Sequence, residues 1–124
     1  MPSPAGPTSA RLLEALAPVV LRHSGDFTPL AISNIAYAFA VVGAAIEAQA
    51  ARAFHVSSWP LMPTFLGELQ PRIIDGLGAY GAIELSIVAW AYASTGLATP
   101  EFFDVIEEEV LGLLPDFTTQ ARAK

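Results

Sequence analysis

The residues with the most chemical promise are the glycines of Gly76-Leu77-Gly78-Ala79-Tyr80-Gly81. They spell G-x-G-x-x-G ahead of an apolar segment, and Glu101 follows about 20 residues later, as in dinucleotide-binding units. That chemistry needs a strand directly before the glycines, so that their backbone can cradle a pyrophosphate at a helix start. Here the preceding segment, Phe65 to Ile74, aligns with two helical segments elsewhere in the chain. A flexible turn between helices is therefore expected. A second group, Glu101, Asp104, Glu107, Glu108 and Glu109, offers oxygen ligands for a divalent cation. Hard cations need oxygens that converge, whereas successive helical residues diverge around the axis. A solvated acidic face that docks a basic partner is the expected use. Neither His23 nor His55 sits in a serine, aspartate or cysteine arrangement resembling an activated nucleophile, and the chain has no cysteine. No catalytic residue, metal site, cofactor or small-molecule substrate is expected.

Charge narrows the partners. Twelve acids against six bases give a net charge of −6. Nucleic-acid affinity rests on phosphate neutralisation by Lys and Arg. The supply is Arg11, Arg22, Arg52, Arg72, Arg122 and Lys124, without a basic run. An anionic membrane surface is disfavoured for the same reason. At 53% hydrophobic and 15% charged residues, the chain has ample core material and little charge to cover a surface. Some apolar face must be hidden by packing or by a partner. The most apolar runs, Ile35 to Ile46 and Leu85 to Ala98, are shorter than the roughly 20 residues that cross a bilayer. No membrane span is expected. Residues 1–9, rich in Pro, Ala and Gly, are expected to be disordered or extended, and the region to Arg22 lacks the apolar stretch of a secretory signal.

The elements that position these residues repeat. Ser33-Asn34-Ile35-Ala36-Tyr37-Ala38-Phe39-Ala40-Val41-Val42-Gly43 matches Ser86-Ile87-Val88-Ala89-Trp90-Ala91-Tyr92-Ala93-Ser94-Thr95-Gly96. Call this apolar helix type A, with Gly43 and Gly96 as C-caps. A second, amphipathic type, B, appears at Ala10 to Leu16, Pro63 to Leu69 and Pro100 to Ile106. In the last copy Thr99 is the N-cap and Pro100 the first helical residue. Pro18 and Pro71 fall at one repeat position inside B and predict a kink or split there. The order is B, A, B, A, B and the opening of another A at Asp116-Phe117-Thr118, which repeats Asp26-Phe27-Thr28. Tyr80 and Phe117 are 37 residues apart, a spacing found in helical solenoids, whereas Phe27 and Tyr80 are 53 apart. The first unit thus holds an insertion of 16 residues between Gly43 and Pro63, at about 44–62, expected as a helical extension and then a loop. The predicted fold is an all-α, short α-solenoid of about two and a half helix pairs, forming a single domain over residues 10–124. Both of its ends lack a capping unit, which predicts a longer array or cover by other chains.

Inside this frame, Phe54 and Trp59 are candidate partner anchors on the inserted loop, although they could instead fold back over the stack. Tyr37 and Trp90 could stack on bases if exposed, but an A helix apolar nearly all round predicts that they pack in the core.

The segments Phe27-Thr28-Pro29, Ser33 to Ala40, Val88 to Gly96 and Pro100-Glu101-Phe102-Phe103 resemble the octotricopeptide and heptatricopeptide repeats of algae and other protists. The resemblance covers the chain from about Leu12 to Phe117, apart from the insertion. It implies an α-solenoid, a place in a mitochondrion or chloroplast, and either RNA binding or membership of an organellar ribosome or similar assembly. Asn34 matches the asparagine of the family's first helix, but its counterpart here is Ile87. Any contact made by that asparagine would exist once. Two readings follow. The first is an adaptor or structural subunit bound to protein partners, using Asn34, Phe54, Trp59, Glu101, Asp104, Glu107 and Glu108. The second is a single-stranded RNA-binding module.

Overall fold

Helix boundaries follow from capping and from the two aromatic turns. The computed structural model describes residues 7–52 and 59–122, with side chains described for 10–52 and 59–113. Five helices result: α1 (Pro7–Arg22), α2 (Pro29–Arg52), α3 (Leu61–Asp75), α4 (Ala82–Thr95) and α5 (Pro100–Arg122). No strand occurs among the described residues. The chain is all-α. Proline opens α2 and α5, where its missing N–H costs nothing. Thr28 Oγ1 accepts from the Ala31 N–H at 3.1 Å, and Thr99 Oγ1 accepts from the Phe102 N–H at 3.2 Å. Gly96 ends α4 at φ +69°, a left-handed conformation that disfavours any residue with a Cβ.

The two turns leading into A-type helices share one geometry. A short 3-10 turn, Ser24–Asp26 or Leu77–Ala79, is followed by an extended aromatic, Phe27 or Tyr80. The Phe27 N–H donates to Ser24 O at 3.2 Å, and the Tyr80 N–H to Leu77 O at 3.0 Å. Aromatic pairs repeat too. Phe39 of α2 stacks on Phe65 of α3 with ring centroids 4.1 Å apart, and Tyr92 of α4 meets Phe102 of α5 at 4.6 Å. These four residues are fully buried. Leu12, the counterpart of Phe65 in α1, stands exposed.

Buried polar groups tie the layers together. The Tyr92 hydroxyl donates to Leu66 O at 2.6 Å. Gln70 of α3 clamps the α4–α5 connection: its Nε2 donates to Leu97 O at 3.0 Å and its Oε1 accepts the Thr99 N–H at 3.3 Å. Ser33 and Ser86, repeat counterparts, each donate to the carbonyl four residues back, at 2.7 and 2.8 Å. The most extensive helix contact joins α2 to α4; α1 and α3 pack on each other and on α2, and α5 packs on α4 and α3. Tyr37 meets Trp90, and Glu47 near the end of α2 lines one cleft with Thr95 at the end of α4. The two A helices therefore run in the same direction.

Several expectations need correction. Gly43 is not a C-cap: α2 continues to Arg52, and buried Gly43 admits the Met62 side chain to 3.0 Å from where a Cβ would stand. The expected helical extension supplies this continuation, while 53–58 lie outside the described residues. Helix α3 begins at Leu61, two residues before Pro63 where the expected inserted stretch gives way to helix. Helix α1 starts at Pro7, inside the stretch expected to lack structure, and residues 1–6 are outside the described ones. Helices α1 and α3 run through Pro18 and Pro71 without a break. The carbonyls these rings release belong to exposed Glu14 and Gly67, where water replaces the lost donor. Finally, α5 continues through Pro115-Asp116-Phe117, so no third aromatic turn or further A helix opens there. The two real turns hold Gly25 and Gly78, and the matching position of the third is Pro115. The apolar run Ile35 to Ile46 also understates its helix. At 24 residues α2 is long and apolar enough to cross a bilayer, yet Ile32, Ala36, Phe39, Ala40 and Val42 serve here as core between α1, α3 and α4.

Candidate docking face

Helices α2 and α4 each bury one side and leave the other open. On α2 the open stripe is Leu30, Asn34, Tyr37 and Val41; on α4 it is Ile83, Trp90 and Ser94, with half-buried Ile87 beside them. Such spacings of three, four and seven place each set on one helix face. Tyr37 is 45% and Trp90 49% exposed. Their rings touch, with centroids 5.1 Å apart and planes tilted by 39°. These residues occupy the same position in the two A-type copies, so the repeat builds a continuous aromatic ridge across the α2–α4 seam.

This corrects the expectation that A helices are hidden on all sides. An apolar circumference distinguishes poorly between a face covered by the chain itself and one left open. Position 37/90 faces outward while position 39/92, two residues on, carries the buried aromatic. A polar signal did exist. Asn34 stands one turn before Tyr37, and Ser94 one turn after Trp90, on the open side.

Charge on α2 and α4 is sparse. Between Pro29 and Ala51 the sole ionisable residue that carries charge at neutral pH is Glu47, and in α4 it is Glu84. Glu47 lines a cleft of about 380 Å³ with Gly43, Trp59, Met62 and Thr95. Glu84 is half-buried in the first turn of α4, where a carboxylate suits the helix dipole. Arg52 caps the far end of α2. Arg72 lies elsewhere and is engaged: its Nε donates to Leu21 O at 3.0 Å and its Nη1 to Glu68 O at 2.7 Å, tying α3 to α1.

The residues singled out in the sequence do not converge. Asn34 is exposed on the ridge side of α2. Trp59 folds inward, stacking on Phe39 at 5.5 Å and donating from Nε1 to Glu14 Oε1 at 3.1 Å, so its ring is committed to closing the core. Phe54 and His55 lie outside the described residues. Glu101, Asp104, Glu107 and Glu108 are exposed along α5, opposite buried Phe102 and Ile106. No cluster of three or more metal-ligating side chains occurs among the described residues. His23 is exposed, its Nδ1 3.8 Å from Asp26 Oδ2.

The glycine run shows none of the dinucleotide context. Helix α3 precedes it, and Leu77 and Tyr80 are buried as anchors of the 3-10 turn. A concavity of about 440 Å³ lies between the two aromatic turns, lined by Ser24, Phe27, Arg72, Asp75 and Tyr80 among others. It brings no nucleophile against a base. Burial pushes the Tyr80 hydroxyl pKa up to about 12, further from the range in which a phenol could act as a base. What the arrangement offers chemically is apolar contact area with little charge. Compared with models of known protein families, with curated proteins and with solved structures, the chain matches none.

Proposed function

We propose that this chain is a short α-solenoid of helix pairs that acts without catalysis, as an adaptor or structural subunit docking protein partners in a larger assembly. The observation that carries this reading is the Tyr37–Trp90 ridge: large apolar rings, half-exposed, at equivalent positions of adjacent repeats. Large exposed apolar patches on small domains mark association surfaces. Exposed Leu30, Val41 and Ile83 extend the ridge, and Leu12 and Leu111 add apolar surface on α1 and α5. The acidic side of α5, with Glu101, Asp104, Glu107 and Glu108, is proposed as a second contact for a basic partner. Kinship with the octotricopeptide and heptatricopeptide repeats is proposed on the residues already given, and places the assembly in a mitochondrion or chloroplast.

A second reading, a single-stranded RNA-binding module, draws on the same ridge, because exposed aromatics stack on bases. Electrostatics favour the protein partner. The open stripes of α2 and α4 carry no lysine or arginine, and the chain carries six bases against twelve acids. The test is to purify the tagged chain from its native cells and measure what accompanies it. The adaptor reading expects a defined set of proteins that survives ribonuclease. Binding of the purified chain to single-stranded RNA, weakening steeply as salt rises, would overturn it.

A further inference from the structure

Resting on the adaptor reading and deepening it, we propose that the basic partner of the acidic α5 face is α1 of a second copy of this chain, so that copies join head to tail.

Repeat register locates the two surfaces. Helix α3 is covered on two sides. Phe65 stacks on Phe39 of α2, while Leu66 O receives the Tyr92 hydroxyl of α4 and Gln70 holds the α4–α5 connection. In α1 the position of Phe65 is taken by Leu12, which is 62% exposed. In α5 the position of Leu66 is taken by Phe103, 36% exposed, and that of Gln70 by exposed Glu107. Among the described residues, the side that α3 turns to the preceding unit is therefore open in α1, and the side it turns to the following unit is open in α5. Helix α3 packs on both α1 and α5, so the two open sides belong to opposite ends of the stack.

The surfaces are complementary in chemistry. On α1, Arg11, Leu12, Ala15, Val19 and Arg22 are all exposed, and their spacing puts them on one helix face. On α5 the exposed residues are Phe103, Asp104, Glu107, Glu108 and Leu111. Leu12 and Val19 stand about two helical turns apart, and so do Phe103 and Leu111. Each helix thus offers two apolar side chains at a matching interval, bordered by arginines on α1 and by carboxylates on α5. These charges are not spent within the fold: the sole ion pair among the described residues is His23–Asp26. The net charge of −6 makes two copies repel in general. Pairing α1 with α5 replaces that repulsion with local attraction, which selects this orientation over others. Because each copy meets its neighbour through two different surfaces, assembly continues past the dimer.

The test is sedimentation velocity of the full chain across a wide concentration series. The expected result is a mean mass that rises with concentration beyond that of a dimer. Arg11→Glu with Arg22→Glu, and separately Asp104→Lys with Glu108→Lys, should each raise the dissociation constant by about tenfold or more. The second pair lowers the net negative charge of the chain, so if general repulsion alone governed association it would tighten instead. Mixing the two variants should restore assembly, since together they offer one native and one reversed pairing. Leu12→Ser, at an exposed position, should weaken assembly as well, with helical circular dichroism unchanged in every variant. A chain that stays monomeric, association that ignores the substitutions, or two charge variants that fail to rescue each other would overturn the proposal. If the chain is monomeric yet still purifies from its native cells with a ribonuclease-resistant set of proteins, self-assembly falls and the adaptor reading stands.

Discussion

Tyr80 and Tyr92 show how single side chains hold this fold together. Both are buried, and Tyr92 replaces the phenylalanine of the first repeat, Phe39, with a hydroxyl that reaches Leu66 O. Removing it with Tyr92→Phe deletes a buried hydrogen bond, although Leu66 O keeps its helical donor, and should cost about 0.5–1.5 kcal/mol in a urea unfolding titration. Ionisation acts on the same groups. Burial raises the Tyr80 pKa from 10.0 to about 12. It raises that of Tyr92 further, first by desolvation and then by repulsion from Tyr80. A phenol whose folded pKa lies above its unfolded one favours the fold fully below the unfolded value. The unfolded chain releases its proton first as pH rises. Stability should therefore show no tyrosine-linked loss up to about pH 10 and then fall, by up to about 1.4 kcal/mol per pH unit for each buried phenol. Tyr80→Phe should reduce that slope without shifting its onset. A stability curve that stays flat from pH 10 to 12 would contradict this burial. From sequence the pair was visible as repeat aromatics. The Tyr92–Leu66 bond was not, because it depends on how far α3 stands from α4.

At the scale of elements, the legible part was whatever depends on neighbours in sequence. Thr99-Pro100 opening α5 and Gly96 closing α4 follow from local backbone chemistry. So does the matching of turns at Phe27 and Tyr80. The misreadings depend on neighbours in space. Gly43 looked like Gly96, but its neighbour is the Met62 side chain and its helix runs on to Arg52. Phe117 looked like Phe27 and Tyr80, but α5 passes through it. Trp59 was equally consistent with an anchor and with a lid; the nearby faces of Phe39 and Glu14 make it the lid. Two glycine substitutions separate local from tertiary control. Gly96→Ala should destabilise by about 1 kcal/mol, because it forces a Cβ into the left-handed region. Gly67→Ala, at an exposed position of α3 where an added Cβ meets nothing within 4 Å, should stabilise by up to about 1 kcal/mol through helix propensity. Thermal unfolding of the two variants should move in opposite directions. The same sign for both would show that these helix ends and interiors are wrongly drawn.

For the whole molecule, the sequence made an apolar surplus plain and left its location open. A chain with 53% hydrophobic residues buries Phe39, Phe65, Tyr92 and Phe102 while leaving Tyr37 and Trp90 half in water. That division cannot be read from helices apolar on every side; it requires knowing that two A helices stand side by side with none of the described residues across their outer face. The central claim is that this face is open in the isolated chain. Acrylamide quenching tests it directly, with Trp59→Phe leaving Trp90 as reporter and Trp90→Phe leaving Trp59. Trp90 should emit at the longer wavelength and be quenched several-fold more readily than Trp59, in proportion to their different access to solvent. A Trp90 that emits like a core residue and resists acrylamide in the isolated chain would contradict the account.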